Sequence, residues 1–233
     1  MTAPPPHEST DQKRQAAIAS LEHVHDGMVL GLGTGSTVAL MVEELGRRVQ
    51  QGLRIVGIPT SERTRLQAQA LGIPLVTFAE HSVIDLTIDG ADEVHIPTLD
   101  LIKGLGGALL REKIVAAASR RMTVIVDGGK LVHELGCTAR LPVEIVPFGW
   151  QTTAARVRDE GADAILRGDL EDPFQTDGGN LILDCAFSCI PNAAALQAAL
   201  KSITGVVETG LFIGLATTIL AGTPDGVKRL ERP

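Results

Sequence analysis

Short apolar runs alternate with amphipathic stretches through the first 130 residues, and this alternation constrains the fold more than any other feature. Runs of Val, Ile and Leu favour strands that are covered on both faces. Strands are predicted at Met28–Leu32, Leu53–Ile58, Leu75–Phe78, Ile84–Ile88 and Met122–Val126. Helices are predicted at Asp11–His25, Thr37–Gln50, Ser61–Leu71 and Leu109–Ser119, with Ser61 as an N-cap. The pattern indicates the α/β class, with a doubly wound, mainly parallel Rossmann-like sheet.

The pattern changes after Lys130. Strand, helix, strand, strand, helix, strand is the order predicted for Leu141–Val146, Thr152–Glu160, Ala164–Leu166, Leu181–Phe187, Ala193–Ser202 and Gly205–Glu208. This order is typical of a small α+β, ferredoxin-like domain. The apolar segment Leu211–Ala221 is expected to rejoin the first sheet. We therefore predict a Rossmann-like catalytic domain from 1 to 131 plus 207 to 233, and a small domain from 132 to 206.

Charge and aromatic content disfavour a nucleic-acid partner. The formal net charge is −7, and the chain has no Tyr and a single Trp, so both an overall basic field and stacking surfaces are lacking. No uncharged stretch exceeds 16 residues, and Gly27–Val42 and Thr209–Pro224, which reach that length, are broken by Gly and Thr. This is short of the roughly 18 apolar residues of a membrane span. No nucleic-acid or membrane partner is predicted.

The three cysteines do not suggest a disulfide framework or a zinc site, because their number is odd and no CxxC spacing occurs. Cys185 and Cys189 lie in a mostly apolar stretch and are expected to be reduced core thiols. The first eleven residues lack the basic start and apolar run of a signal peptide. A cytoplasmic location is the resulting expectation.

A glycine-rich loop, Gly31–Thr37, follows the first strand and opens a helix. Its backbone N–H groups and the positive end of the helix dipole suit one phosphate. The third glycine of a dinucleotide fingerprint is replaced by Ser36, and no P-loop lysine follows. The structural alternative is a tight strand-to-helix turn.

Carboxylates follow the strand that ends near Ile88, in the sequence Asp89-Gly90-Ala91-Asp92-Glu93. Open α/β sheets bind ligands at the carboxyl ends of their strands. A surface turn and a magnesium site are the two alternatives to a substrate site.

Lysines occur at two further strand-to-helix junctions. Lys103 precedes a glycine run and a helix that carries Glu112 in its first turn, and Lys130 ends the sequence Asp127-Gly128-Gly129-Lys130. Glu112 alone could merely complement a helix dipole, and Lys130 alone is typical of a solvated surface. Together, the four junctions suit a small phosphorylated, hydroxyl-rich substrate and proton transfer.

The chain resembles ribose-5-phosphate isomerase of the A type. The resemblance rests on the ordered motifs GTGST at 33–37, DGADE at 89–93, REK at 111–113 and DGGK at 127–130, with TDGGN at 176–180 and TPDGVK at 223–228. It implies interconversion of ribose 5-phosphate and ribulose 5-phosphate through an enediolate, without a cofactor or metal. It also implies a homodimer or a homotetramer.

The resemblance implies a role for each matching residue. Glu112 would be the base, Asp89 and Asp92 would hold sugar hydroxyls and assist ring opening, and Lys103 would stabilise the enediolate oxygen. The other substrate-binding positions would be Thr34, Gly35, Ser36, Thr37, Gly90, Ala91, Gly104, Leu105, Gly106, Lys130 and Lys13.

Two departures from the family pattern stand out. Leu105 occupies a position where the family often has Gly, and Ile213-Gly214-Leu215 replaces a frequent Asn-Arg pair. A sugar-phosphate sensor, or a related lactonase, deaminase or coenzyme A transferase on the same fold, is the alternative function.

Overall fold

The computed structural model describes the chain from Pro6 to Arg232, with side chains from Thr10 onward. Helix α1 (Pro6–Ser20) begins earlier than predicted, and a 3₁₀ turn at Leu21–His23 follows it. Proline at the first helical position suits this start, because its missing N–H would have no partner there. The turn ends where Val24 becomes extended, so the predicted helix stops short of His25.

The other helices of the described chain are α2 (Ser36–Gln50), α3 (Glu62–Ala70), α4 (Leu109–Ala117), α5 (Trp150–Asp159) and α6 (Ala193–Ser202). Its strands are β1 (Val29–Leu32), β2 (Val56–Pro59), β3 (Leu86–Asp89), β4 (Glu93–His95), β5 (Leu101–Ile102), β6 (Met122–Asp127), β7 (Leu131–Val132), β8 (Leu141–Ile145), β9 (Asp163–Leu166), β10 (Leu181–Ala186), β11 (Val206–Thr209), β12 (Leu211–Phe212), β13 (Thr218–Thr223) and β14 (Gly226–Glu231). The N-cap prediction is confirmed, since the Ser61 hydroxyl accepts the Thr64 N–H at 3.2 Å.

The chain divides into two compact units. Unit 1 comprises the described residues through Ala91, then Arg111–Leu131 and the described residues from Gly214 onward. Unit 2 comprises Asp92–Leu110 and Val132–Ile213. Relative to the predicted boundaries, the segments 92–110 and 207–213 group with the smaller unit, because β4, β5 and β12 share one small sheet.

Unit 1 is built on a six-stranded sheet in the order β14-β13-β6-β3-β1-β2. The pairs are parallel except for β13–β14, which form an antiparallel hairpin. Leu30 and Leu32 pack into one apolar cluster with α1 and α2, whereas Val29 packs on the opposite face with Val115 of α4. Helices therefore cover both faces, and the predicted doubly wound α/β fold is confirmed.

Unit 2 contains the predicted ferredoxin-like arrangement, an antiparallel sheet in the order β11-β8-β10-β9 that carries α5 and α6. Its core includes Val143, Ile145, Leu183 and Leu200, all fully buried. A second small sheet, β12-β5-β4-β7, was not predicted, because strands of two or three residues are too short to show periodicity.

One predicted strand is wrong. Leu75–Phe78 forms only an isolated bridge, from Leu75 to Gly57. The chain leaves the sheet because Glu80 accepts hydrogen bonds from the Thr77 N–H and hydroxyl, closing a turn.

The expectation that the cysteines of the 185–189 stretch are reduced is wrong for Cys189. It forms a disulfide with Cys137, 52 residues away. Cys185 is a buried thiol, and burial raises its pKa to about 12. Among the described residues, no helix combines the length and apolar character that a membrane crossing requires.

Candidate active site

The carboxyl ends of three neighbouring parallel strands carry the polar motifs of unit 1. Asp127 ends β6, Asp89 ends β3, and Gly33 follows the last residue of β1. Because β6, β3 and β1 are adjacent and parallel, these residues lie at one edge of the sheet. This is the edge at which open α/β sheets bind ligands.

Asp89 is fully buried and fixes the glycine-rich loop. Its Oδ1 accepts the Thr34 N–H at 3.0 Å and the Gly90 N–H at 2.7 Å. A Cβ atom on Gly33 would lie 2.2 Å from the same oxygen, so only glycine allows this approach. The first and second motifs of the sequence are therefore one interlocked structure.

Hydroxyl groups hold the other side of the loop. The Thr34 hydroxyl lies 2.8 Å from the hydroxyls of both Thr60 and Ser61, and the Thr64 hydroxyl donates to the Gly33 carbonyl at 2.8 Å. Thr34 is 6% exposed, so its hydroxyl is committed to these hydrogen bonds. Because Asp89 already accepts the Thr34 N–H, the residues after Thr34 are the ones that remain for a ligand.

Gly35 leads directly into α2, which begins at Ser36. Its φ of +131° is a conformation that favours glycine. Ser36 is exposed and Thr37 is nearly buried at the first turn of the helix. No side chain caps this turn at Gly35, and the positive end of the helix dipole lies here, which provides the setting for an anion.

Glu112 lies in the first turn of α4 and is 3% exposed. The preceding Arg111 donates to Glu62, the first residue of α3, at 3.3 Å. Because α3 begins just after β2 ends, this contact places the start of α4 at the carboxyl edge of the sheet. Hydrogen bonds from Arg65 and then Arg111 hold the pKa of Glu62 below its usual range, so Glu62 stays ionised.

Two predicted lysines of unit 1 lie near the end of β6. Lys13 of α1 places its Nζ 4.0 Å from Asp127 Oδ2, while Asp127 Oδ1 accepts the Gly129 N–H at 3.1 Å. Lys130 ends the short 3₁₀ turn that follows and is half-buried. Lys13 and Lys130 thus both come from segments that border the carboxyl end of β6.

In unit 2, Asp92 and Lys103 flank the paired strands β4 and β5. The pairing of Glu93 with Ile102, together with an Asp92 N–H bond to the Ile102 carbonyl at 2.8 Å, sets Asp92 opposite Lys103. Asp92 Oδ2 accepts the Leu105 N–H at 3.0 Å. The predicted residues Asp92, Lys103 and Leu105 therefore form one local cluster, together with Gly104 and Gly106.

Lys103 is 2% exposed, which is unusual for a lysine. Its backbone N–H donates to the Gly210 carbonyl at 2.9 Å, and its side-chain Nζ lies 5.4 Å from the centroid of the Phe212 ring. A ring face attracts a cation and helps to hold it in a buried position.

Glu93 has a role that the sequence did not reveal. It is fully buried, and its carboxylate accepts N–H groups of Gly136, Thr138 and Ala139 as well as the Thr138 hydroxyl. This carboxylate ties β4 to the loop 136–139, next to Asp92. Only the position of Glu93 in the Asp-Gly-Ala-Asp-Glu motif could have drawn attention to it.

In the part of the chain that the structure describes, the one group of three metal-ligating side chains is Glu134, Cys137 and Cys189. Two of these form the disulfide.

A buried carboxylate in a first helical turn, carboxylates at a strand end and a buried lysine provide the groups needed to move a proton beside a carbonyl. Groups of these kinds are typical of an intramolecular oxidoreductase, an isomerase.

Comparisons with known proteins identify the family. The family model of ribose 5-phosphate isomerase A (phosphoriboisomerase A) matches residues 56–226. Ribose-5-phosphate isomerase A of Gloeobacter violaceus is 57% identical over 218 residues, covering 94% of this chain and 95% of the relative. The corresponding protein of Gluconobacter oxydans is 52% identical, covering 94% of this chain and 96% of the relative.

Solved structures agree. Ribose 5-phosphate isomerase A of Methanocaldococcus jannaschii superposes with a TM-score of 0.90 at 40% identity, covering 95% of this chain and 99% of that one. A D-ribose-5-phosphate isomerase in complex with phospho-erythronic acid superposes with a TM-score of 0.91 at 38% identity, covering 95% and 98%. The chain belongs to the ribose 5-phosphate isomerase A family, and its reaction is the interconversion of ribose 5-phosphate and ribulose 5-phosphate.

Proposed function

We propose that Glu112 is the base with which this chain interconverts ribose 5-phosphate and ribulose 5-phosphate. The observation that carries the proposal is the burial of Glu112, 3% exposed, in the first turn of α4 at the carboxyl edge of the sheet. A carboxylate shielded from water is more basic than one in solution, and general base catalysis contributes roughly 10²–10⁴-fold.

The proton moves between two neighbouring carbons. Glu112 takes the proton from C2 of the open-chain aldose, and the electron pair forms the C1–C2 double bond while O1 becomes an oxyanion. The protonated Glu112 returns the proton to C1, the O2 proton passes to O1, and the C2 carbonyl of the ketose forms. No atom is gained or lost, as an isomerisation requires.

Lys103 is proposed to stabilise the charge on the enediolate oxygen. Its backbone is held by the hydrogen bond to the Gly210 carbonyl, and its buried ammonium lies over the Phe212 ring, so both are in place before the substrate arrives. A fixed charge in a site that excludes water stabilises a developing oxyanion more than a solvated one does.

Asp89 and Asp92 are proposed to hold the sugar hydroxyls and assist ring opening, with backbone contacts from Gly90 and Ala91. The residues from Thr34 to Thr37, with Lys130 and Lys13, are proposed to bind the phosphate end. The interlocked loop around Asp89 and the first turn of α2 support this assignment. The small-molecule partner is therefore a sugar phosphate, and the bound phospho-erythronic acid of the solved relative is a phosphorylated acid.

The test is ketose formation from ribose 5-phosphate by the Glu112→Gln variant. Glutamine keeps the size of the side chain but is not basic, so we expect kcat to fall by roughly 10²–10⁴-fold. Binding of phospho-erythronic acid should change much less. Glu44→Gln, which alters an acid of unit 1 on the surface of α2, is the matched control and should retain kcat. Wild-type turnover by Glu112→Gln would disprove the proposal.

A chelator in the same assay tests the metal alternative. We expect turnover to be unchanged by the chelator, because Asp89 Oδ1 is engaged by two N–H groups. Loss of activity would instead assign a divalent cation to Asp89 and Asp92.

We also propose that the chain works in the cytoplasm, where its charged sugar phosphate is retained, and that it forms a homodimer or a homotetramer. Exposed apolar side chains of unit 1, including Leu66, Phe78 and Ile114, support self-association. Fractionation of the cells tests the location, and light scattering of the purified protein tests the oligomeric state.

A further inference from the structure

We propose that Arg167 is a positioning residue for the loop 104–107, and that it orients the Leu105 N–H toward Asp92 and the Gly106 N–H toward the substrate. The inference rests on the proposed function, since it concerns the loop that follows Lys103. Arg167 lies just after β9, outside all of the sequence motifs named above.

The Arg167 guanidinium joins two structures. Its Nε donates to Asp184 Oδ2 at 2.9 Å and its Nη2 donates to Asp184 Oδ1, so the pair is bidentate. Its Nη1 donates to two successive carbonyls, those of Gly104 and Leu105, both at 3.1 Å. Asp184 lies on β10, within the ferredoxin-like sheet, and so provides a rigid base for the guanidinium.

The guanidinium is itself held in place. The Arg167 side chain is 15% exposed, and its Cζ lies 5.6 Å from the centroid of the Phe174 ring. The same ring packs against Gly107, where a Cβ atom would come within 2.4 Å of it. Arg167 and Phe174 therefore support the loop at both of its ends.

Peptide geometry converts these carbonyl contacts into an orientation of N–H groups. In a trans peptide the carbonyl of one residue and the N–H of the next point in opposite directions, and no cis peptide is found among the described residues. The Gly104 carbonyl faces Arg167, and the Leu105 N–H accordingly donates to Asp92 on the other side. The Leu105 carbonyl also faces Arg167, which turns the Gly106 N–H away from the guanidinium.

Arg167 thus fixes two donors on the Asp92 side of the loop. One orients the Asp92 carboxylate, and the other, the Gly106 N–H, is directed to the substrate. Leucine at 105 does not disturb this role, because the contacts of residue 105 are made by its backbone while its side chain is 46% exposed.

The test compares Arg167→Met and Arg167→Lys with Arg158→Met. Methionine removes the donors, and lysine keeps the charge but cannot bond Asp184 in a bidentate way and reach both carbonyls. Arg158 is the matched control, because it also donates to a backbone carbonyl of unit 2, that of Ala164, at 2.8 Å. Circular dichroism and thermal unfolding identify the folded variants.

We expect kcat to fall by about 10- to 100-fold in both Arg167 variants, the scale that a misplaced reacting group produces. KM should change less than threefold, and Arg158→Met should retain wild-type kcat. A purely structural role would instead lower the folded fraction and leave the kcat of the folded molecules unchanged. That result, or wild-type kcat in either Arg167 variant, would overturn the inference. Failure of the proposed function is a separate outcome, since Glu112→Gln would then remain active.

Discussion

Gly33 packs against Asp89 too closely to accept any larger residue. The backbone of the phosphate loop passes so close to the carboxylate that a methyl group on Gly33 would lie 2.6 Å from the Asp89 Cα atom as well. Neither partner can move without cost, because Asp89 is fully buried at the end of β3 and the loop is tied to Thr60, Ser61 and Thr64.

We therefore expect Gly33→Ala to lower kcat/KM at least 100-fold and to destabilise the protein by about 1–3 kcal/mol. Kinetics with ribose 5-phosphate and denaturant unfolding measure the two effects. Gly178→Ala is the matched control, since its added methyl group meets its nearest atoms at an ordinary 3.6 Å. Equal kcat/KM in Gly33→Ala and Gly178→Ala would show that the loop around Gly33 can move to accept a methyl group, and would contradict this prediction.

On the scale of elements, one buried carboxylate connects the hairpin of β4 and β5 to the rest of unit 2. Glu93 lies directly after Asp92. Its carboxylate accepts four hydrogen bonds, one each from Gly136 and Ala139 and two from Thr138. The same side chain thus stabilises the element that carries Asp92 and Lys103.

Glu93→Gln should lower the free energy of unfolding by about 2–4 kcal/mol, because an amide turns its own N–H donors toward backbone donors in a buried site. Urea unfolding followed by circular dichroism measures the loss. The control is Glu80→Gln at an exposed turn, where the carboxylate also accepts a backbone N–H, that of Thr77 at 2.9 Å. A loss for Glu93→Gln no greater than for Glu80→Gln would contradict this account.

The elements also show what the sequence can predict. Strands such as β1 and β6 are rich in Leu, Val and Ile, and their position between amphipathic helices identified them. The two-residue strands β5 and β12 have no such signal, and the segment after Pro74 is apolar but turns away from the sheet. The proposed catalytic residues were found because they lie within motifs. Glu93 and Arg167 act through contacts with distant loops, which no local pattern encodes.

For the whole molecule, the disulfide between Cys137 and Cys189 is the strongest single constraint on the unfolded chain. It joins the loop after β7 to the segment between β10 and α6, across 52 residues. A cross-link of this separation stabilises a fold by about 4 kcal/mol through the entropy of the unfolded state.

We expect a strong dithiol reductant to lower the Tm by about 10 °C. The double variant Cys137→Ser, Cys189→Ser is the control, and its Tm should not respond to the reductant. Thiol titration gives an independent measurement. Without reductant, Cys185 alone should react, and only after unfolding, because burial keeps its thiol protonated. Three reactive thiols in the unreduced, unfolded protein would contradict the disulfide.

The path of the chain between the two units sets an order for biosynthesis. Every residue of unit 2 precedes Gly214, whereas the sheet of unit 1 is completed only by β13, which pairs with β6. Gly222 of β13 also packs directly on Gln12 of α1, so the earliest and latest described segments of unit 1 meet. On the ribosome, unit 2 is therefore complete while unit 1 still lacks an inner strand. Emergence of β13 therefore determines when the sheet that carries Asp89 can be completed, and a nascent chain paused before Thr218 would hold one finished unit and one open sheet edge.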